Sequence, residues 1–170
     1  MTDDRVWFEQ MVRNLSRPAM KFANVLVHDS DLAEEIVQEA FARTWASSST
    51  PSPEVEFRRF LYRIITNLAH DYFRRQSRRA TFQLPDPADP NPIEMFEKRS
   101  GDEAMRAALN VLGLRERQAI YLRYFEDLSF AETARIIGAR QGTVRVMVHR
   151  ALGKLRRELS SHQVSGQVAI

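Results

Sequence analysis

Leu128-Ser129-Phe130-Ala131-Glu132-Thr133-Ala134-Arg135-Ile136-Ile137-Gly138-Ala139-Arg140-Gln141-Gly142-Thr143-Val144-Arg145-Val146-Met147-Val148-His149-Arg150-Ala151-Leu152 is a short amphipathic segment, a glycine, and a longer basic segment. Each part has a local reason for its conformation. Ser129 stands at an N-cap position and Glu132 follows three residues later, the spacing of a capping box. Ala131, Ala134 and Ile137 fall on one face of the helix so begun. Gly138 is placed to leave that helix in a left-handed conformation. A second helix carries Val144, Val148, Ala151 and Leu155 at i, i+4, i+7 and i+11, a stripe to be buried. Its other faces carry Arg140, Gln141, Thr143, Arg145, His149, Arg150, Lys154, Arg156 and Arg157. This is the pattern of a helix-turn-helix, whose second helix fits the major groove of DNA. Gln, Thr and Arg near the front of such a helix read base edges, and Arg and Lys around it meet phosphates.

A solvated helical hairpin shares this periodicity, and charge separates the two readings. From Met105 to the C-terminus 11 Lys and Arg stand against 5 Asp and Glu. A basic excess concentrated on one element is the footprint of a polyanion partner. The net charge of the whole chain, +3, says less than this local imbalance.

Composition narrows the class. A chain of 170 residues holds one ordinary domain or two small ones. The absence of cysteine excludes disulfides and thiolate metal sites, and it fits a reducing compartment. No apolar run approaches the ~18 residues that span a bilayer. Met1-Thr2-Asp3-Asp4-Arg5 is acidic and precedes no apolar block, so no signal peptide is expected, and the reading is cytoplasmic without membrane insertion. Few glycines and strong 3.6-residue patterning favour an all-α protein. An enzyme is not expected. His28, His70, His149 and His162 lack metal-ligand spacing, no glycine loop cradles a phosphate, and the Asp/Glu pairs fall on exposed helix faces. The expectation is therefore no catalytic residues, no metal and no cofactor.

The chain divides at residues 81–101, where Pro85, Pro87, Pro90 and Pro92 exclude a continuous helix. Asp86, Asp89, Glu94, Glu97 and Asp102 make the same stretch acidic. It reads as a flexible tether between two small helical domains, or as a passive spacer. The expected organisation is a first domain over residues 1–79, a linker over 80–102, a second domain over 103–160, and a frayed tail over 161–170.

Within the first domain, helices are predicted over residues 4–15 and, opened by Pro18, over residues 18–27. A third spans residues 31–45, with Ala33, Ile36, Val37, Ala40, Phe41 and Thr44 inward and Glu34, Glu35, Gln38, Glu39 and Arg43 outside. Serines and prolines at residues 46–53 make a loop. A fourth helix runs from residue 54 to 75 or slightly beyond. Phe57, Leu61, Ile64, Ile65, Leu68 and Tyr72 form its core face, and seven arginines lie among further aromatics: Arg58, Arg59, Arg63, Arg74, Arg75, Arg78 and Arg79. Arginines neutralise phosphates and exposed aromatics offer faces to unstacked bases, which suits an opened strand. Most aromatics in such a helix are equally accounted for as core.

In this order the elements resemble a bacterial RNA polymerase sigma factor of the sigma-70 family, extracytoplasmic-function group. The resemblance covers nearly the whole chain in four blocks. Residues 31–45 are similar to region 2.2, residues 57–75 to regions 2.3 and 2.4, residues 114–129 to region 4.1, and residues 142–156 to region 4.2. It implies a chain that binds core RNA polymerase and directs promoter-specific initiation. Asp31, Glu35, Gln38 and Glu39 would face the clamp helices of the polymerase β′ subunit, with the β flap as a further contact. Tyr62, Arg63, Asn67, His70, Asp71, Arg74 and Arg75 would recognise and open the −10 element, and the loop near residues 47–52 would wall a pocket for a flipped base. Arg140, Gln141, Thr143, Arg145, His149 and Arg150 would read the −35 element as duplex. The acidic linker would thread toward the polymerase active-site channel, and an anti-sigma factor is an implied partner. The chain departs from the family pattern at Val146 and Met147, where relatives often carry a small polar residue and an arginine. Two rival readings are a stand-alone helix-turn-helix regulator and a fold-retaining module that mainly binds an anti-sigma protein.

Overall fold

The structure, a computed structural model, describes residues 2–47, 53–80 and 108–166. It divides into two compact units, Met1–Ile93 and Glu94–Ile170. The first contains α1 (Thr2–Val27), α2 (Ser30–Ala46) and α3 (Glu54–Ala80). The second contains α4 (Leu114–Tyr124), α5 (Phe130–Ile137) and α6 (Gln141–Gly166), preceded by a helical turn at residues 108–110. No strand occurs among the described residues, so the architecture is all-α.

In the first unit each helix packs on both others. Met11, Leu15, Ala19, Phe22 and Leu26 recur at helical spacing along α1 and are buried. That stripe corrects one expectation. The two helices predicted before and after Pro18 are a single helix with Pro18 inside it. Proline gives no N–H to the Asn14 carbonyl, a local cost. The apolar stripe continues in phase through Ala19 and Phe22, and its burial outweighs that cost.

The turn into α2 places His28 at φ 54 and lets the Asp29 side chain accept from the Leu32 N–H at 3.0 Å. This N-cap satisfies one of the orphan donors of the first turn. All six residues of the expected α2 stripe are buried. On α3, Phe57, Leu61 and Ile65 are core as expected, whereas Ile64, Leu68 and Tyr72 are only half-buried. One end of the bundle is aromatic: Trp7 meets Phe57 edge-on with centroids 5.3 Å apart, and Phe8 lies 4.8 Å from the Trp45 ring centroid.

In the second unit, α4, α5 and α6 pack on one another around Ile120, Leu122, Ile136, Ile137, Val144 and Val148. The chain leaves α4 through a turn with Asp127 at φ 50, closed by the Leu128 N–H donating to the Leu122 carbonyl at 3.1 Å. On α5 the inward residues are Thr133, Ala134, Ile136 and Ile137. Ala131, expected on that face, is exposed. Steps of three residues drift around a helix by about 60° each, so Ala131 points well away from the mean direction of the buried set. The tail was expected to fray after residue 160, yet α6 continues to Gly166. The expected linker and the start of the second domain, residues 81–107, lie outside the described residues.

Candidate nucleic-acid interface

The turn between α5 and α6 is built by a few local bonds. Ser129 Oγ accepts from the Glu132 N–H at 3.2 Å, and Glu132 Oε2 accepts from the Ser129 N–H at 2.7 Å. Both halves of the capping box are thus present. Gly138 adopts φ 72 and donates its N–H to the Ala134 carbonyl at 2.9 Å, which ends α5 in the left-handed region that glycine tolerates best. The chain then turns into α6, whose stripe Val144, Val148, Ala151 and Leu155 is buried.

With that stripe inward, the other side of α6 faces solvent. Arg140, Gln141, Thr143, Arg145, His149 and Arg150 are all exposed. The Arg145 guanidinium lies 5.0 Å from the centroid of the Phe130 ring, and the Arg123 guanidinium lies 5.2 Å from the same centroid. Phe130, to which the sequence assigned no role, therefore holds two arginines from neighbouring helices by cation–π attraction. His149, Arg150, Gly153, Lys154 and Arg157 line one open groove beside Glu116, and Gly142, Thr143, Val146, Met147 and Arg150 line a second.

Glu116 braces this surface from beneath. Its carboxylate caps the Gly113 N–H at 3.0 Å and takes the Lys154 ammonium at 2.8 Å, tying the start of α4 to α6. Burial raises the Glu116 pKa, but the Lys154 bond, the Gly113 N–H and the charges of Lys154 and Arg150 together leave it below the ordinary carboxylate value. Arg117, one residue on, is buried, and desolvation pulls its guanidinium below the usual arginine value.

The first unit presents a second polar surface. Arg63, Asn67, His70 and Arg74 stand at i, i+4, i+7 and i+11 on α3 and form one outward stripe, with His70 half-buried and the others exposed. Asp71 flanks it and accepts from Arg74 at 2.8 Å. Arg75, Arg78 and Arg79 extend the positive charge toward the helix C-terminus, where it complements the helix dipole. Tyr62 does not join them, which corrects the sequence reading. Its ring is 1% exposed and packs on Phe22 with centroids 4.8 Å apart, so it belongs to the core. The neighbouring Arg58 guanidinium covers it at 5.9 Å. Of the loop assigned to a base pocket, Ser47 ends α2, and residues 48–52 lie outside the described residues.

Asp31, Glu35, Gln38 and Glu39 are all exposed along one side of α2, opposite its buried stripe. Glu39 accepts from Arg43 at 2.6 Å and Gln38 donates to Glu34 at 3.0 Å, so the surface is laced by i,i+4 pairs that hold its side chains along the helix. The sequence reading did not single out Trp45, 54% exposed at the end of α2. Its position one residue past the apolar stripe is the signal that would have marked it. Among the described residues no His, Cys, Asp and Glu cluster suits a metal, and no helix is long and apolar enough to cross a membrane.

Comparison with known proteins agrees with this geometry. The Sigma-70 region 2 family matches residues 11–79, and the Sigma-70 region 4 family matches residues 102–155. The chain is 30% identical to the RNA polymerase sigma-E factor of Streptomyces coelicolor, over 94% of this chain and 90% of that one. It is 30% identical to the sigma factor SigV of Bacillus subtilis, over 82% of each. It is 33% identical to the ECF sigma factor SigE of Mycolicibacterium smegmatis, over 91% of this chain and 62% of that protein. Among solved structures, the sigma factor RpoE of Bartonella quintana, in complex with the anti-sigma factor NepR, has the same fold, with a TM-score of 0.73 at 24% identity, covering 90% of this chain and 96% of that one.

Proposed function

This chain belongs to the extracytoplasmic-function group of RNA polymerase sigma factors, and we propose how its side chains divide that work. As a sigma factor it binds core RNA polymerase and directs promoter-specific initiation through −35 and −10 elements. In the assignment we favour, α6 enters the major groove of the −35 element. Arg145, Gln141 and Thr143 read base edges there, while Arg140, His149 and Arg150 meet phosphates and hold the register.

The α3 stripe of Arg63, Asn67, His70 and Arg74 meets the −10 element, with Asp71 orienting Arg74 and Arg75 adding backbone charge. Asparagine and histidine at the centre of an arginine-flanked stripe suit an opened strand, because they can hydrogen-bond base edges that pairing no longer occupies. The acid–amide side of α2, from Asp31 to Glu39, docks on basic polymerase surface at the β′ clamp helices. Residues 1–79 and 103–160 are the working spans of the two domains, the polymerase β flap touches the second, and the linker between them runs within the polymerase. The chain contributes binding and no catalytic group, it works in the cytoplasm, and an anti-sigma factor competes for its polymerase-facing surfaces.

The observation that carries this reading is the outward side of α6: a reading surface of Arg, Gln, Thr and His on a helix fixed by a capped, left-handed turn. Run-off transcription with purified core enzyme tests it. Transcripts that start at one site only when this chain is added are the expected result. A core enzyme whose start sites do not change on addition would overturn the assignment. Footprinting of the same complexes assigns the two surfaces, since Arg145→Ala should weaken upstream protection and Arg74→Ala protection near the start.

A further inference from the structure

The outward crest of α6 is polar only in part. Opposite the buried stripe Val144, Val148, Ala151 and Leu155, the helical repeat brings Gly142, Val146, His149 and Gly153 into one line. Val146 is 51% exposed, an isopropyl group that shares an open groove with Gly142, Thr143, Met147 and Arg150. A single exposed aliphatic group is ordinary on a protein surface; what sets Val146 apart is its place on the outward line of the helix, one turn after Gly142.

The two glycines point the same way. A side chain built at either Gly142 or Gly153 meets nothing within 4 Å, so neither packing nor a positive φ requires glycine there. Glycine weakens a helix, and here it leaves the crest of α6 low at the two ends of that line. At the front of the helix, before His149, a low crest with one short apolar group allows the helix axis to approach a groove floor closely, while Arg150 reaches the wall.

We propose that Val146 is a specificity-determining residue that packs against the C5 methyl of a thymine on the floor of the −35 major groove, with Gly142 giving the clearance. This rests on the assignment of α6 to that groove. The thymine methyl is the one apolar group that the major groove displays, and aliphatic side chains are its natural partner. The cationic residues around Val146 fit a polyanion, and so DNA, as its neighbour.

The test uses the complete chain bound to core polymerase and a −35 duplex selected from a randomised pool by that complex. Each thymine in the protected element is replaced in turn by deoxyuridine, which removes the methyl alone. Wild-type complex should lose about fourfold in affinity at one position, the effect of one buried methyl group. Val146→Ala should bind the thymine and uridine duplexes equally, and Val146→Thr, which keeps one γ-methyl, should retain part of the discrimination. Both variants alter an exposed position, so folding is not at stake. A selected element without an A·T pair, no uridine penalty at any position, or the same penalty in Val146→Ala would each overturn the proposal. So would an unchanged uridine response in Val146→Ala together with weakened binding of an anti-sigma protein, which would turn Val146 toward protein. Failure of the underlying reading looks different: Arg145→Ala would then leave the upstream footprint intact, or no such footprint would exist.

Discussion

Arg145, which we propose reads the −35 element, rests against the Phe130 ring. A lone arginine on a helix samples many rotamers and must be ordered when it meets a base. With its guanidinium 5.0 Å from the Phe130 centroid, Arg145 is partly ordered before DNA arrives. We expect Arg145→Ala to weaken −35 binding by about 1–3 kcal/mol. Phe130→Leu should cost about 0.5–1 kcal/mol, and should cost nothing further once Arg145 is gone. Equilibrium binding of the four combinations to one duplex checks this. Glu116 gives a prediction in pH. Its folded pKa is depressed, so its contribution to stability is complete above the ordinary carboxylate range and is lost as pH falls through the lowered value. Glu116→Gln should therefore lower the melting temperature near neutrality, by the effect of one surface pair or roughly 1 kcal/mol, and the gap from wild type should close in acid. A gap that does not change with pH would assign Glu116 a packing role instead.

Among the elements, α2 was the most legible in the sequence and α1 the least. The α2 stripe was read residue for residue because apolar groups recur along it at helical spacing with no competing signal, and Thr44 closes it by donating its hydroxyl to the Ala40 carbonyl at 2.7 Å. On α1, Pro18 competed with that repeat, and the local rule that proline breaks a helix lost to burial across it. Tyr62 was misplaced for a related reason. An aromatic beside arginines looks the same in sequence whether it faces bases or the core, and only Phe22, forty residues earlier, decides the matter. Phe130 escaped notice because a cation–π contact has no spacing of its own. Two predictions belong at this scale. Gly138→Ala should destabilise the second unit by about 1–2 kcal/mol, since φ 72 strains any side-chain-bearing residue there; thermal unfolding measures it. Charge reversal by Gln38→Lys and Glu39→Lys should reduce association with core enzyme while leaving helix content unchanged, as the residues are exposed. Co-purification with polymerase, alongside circular dichroism, separates the two outcomes.

At the scale of the whole molecule, each unit carries its own core and its own arginine-flanked surface. Binding to promoter DNA should therefore carry a salt dependence built from both. Removing Arg74 and Arg150 together should flatten the plot of log affinity against log salt by roughly 1–2, because each phosphate contact releases close to one counterion. A slope that stays the same would take both residues off the DNA backbone. The aromatic end of the first unit has a consequence for how the protein can be watched. Trp7 and Trp45 are the chain's two tryptophans, and both sit there, against Phe57 and Phe8. Indole emission is thus blind to one half of the polypeptide: a fluorescence titration or melt follows α1–α3 alone, and the fate of the other half must be read by a label placed in it.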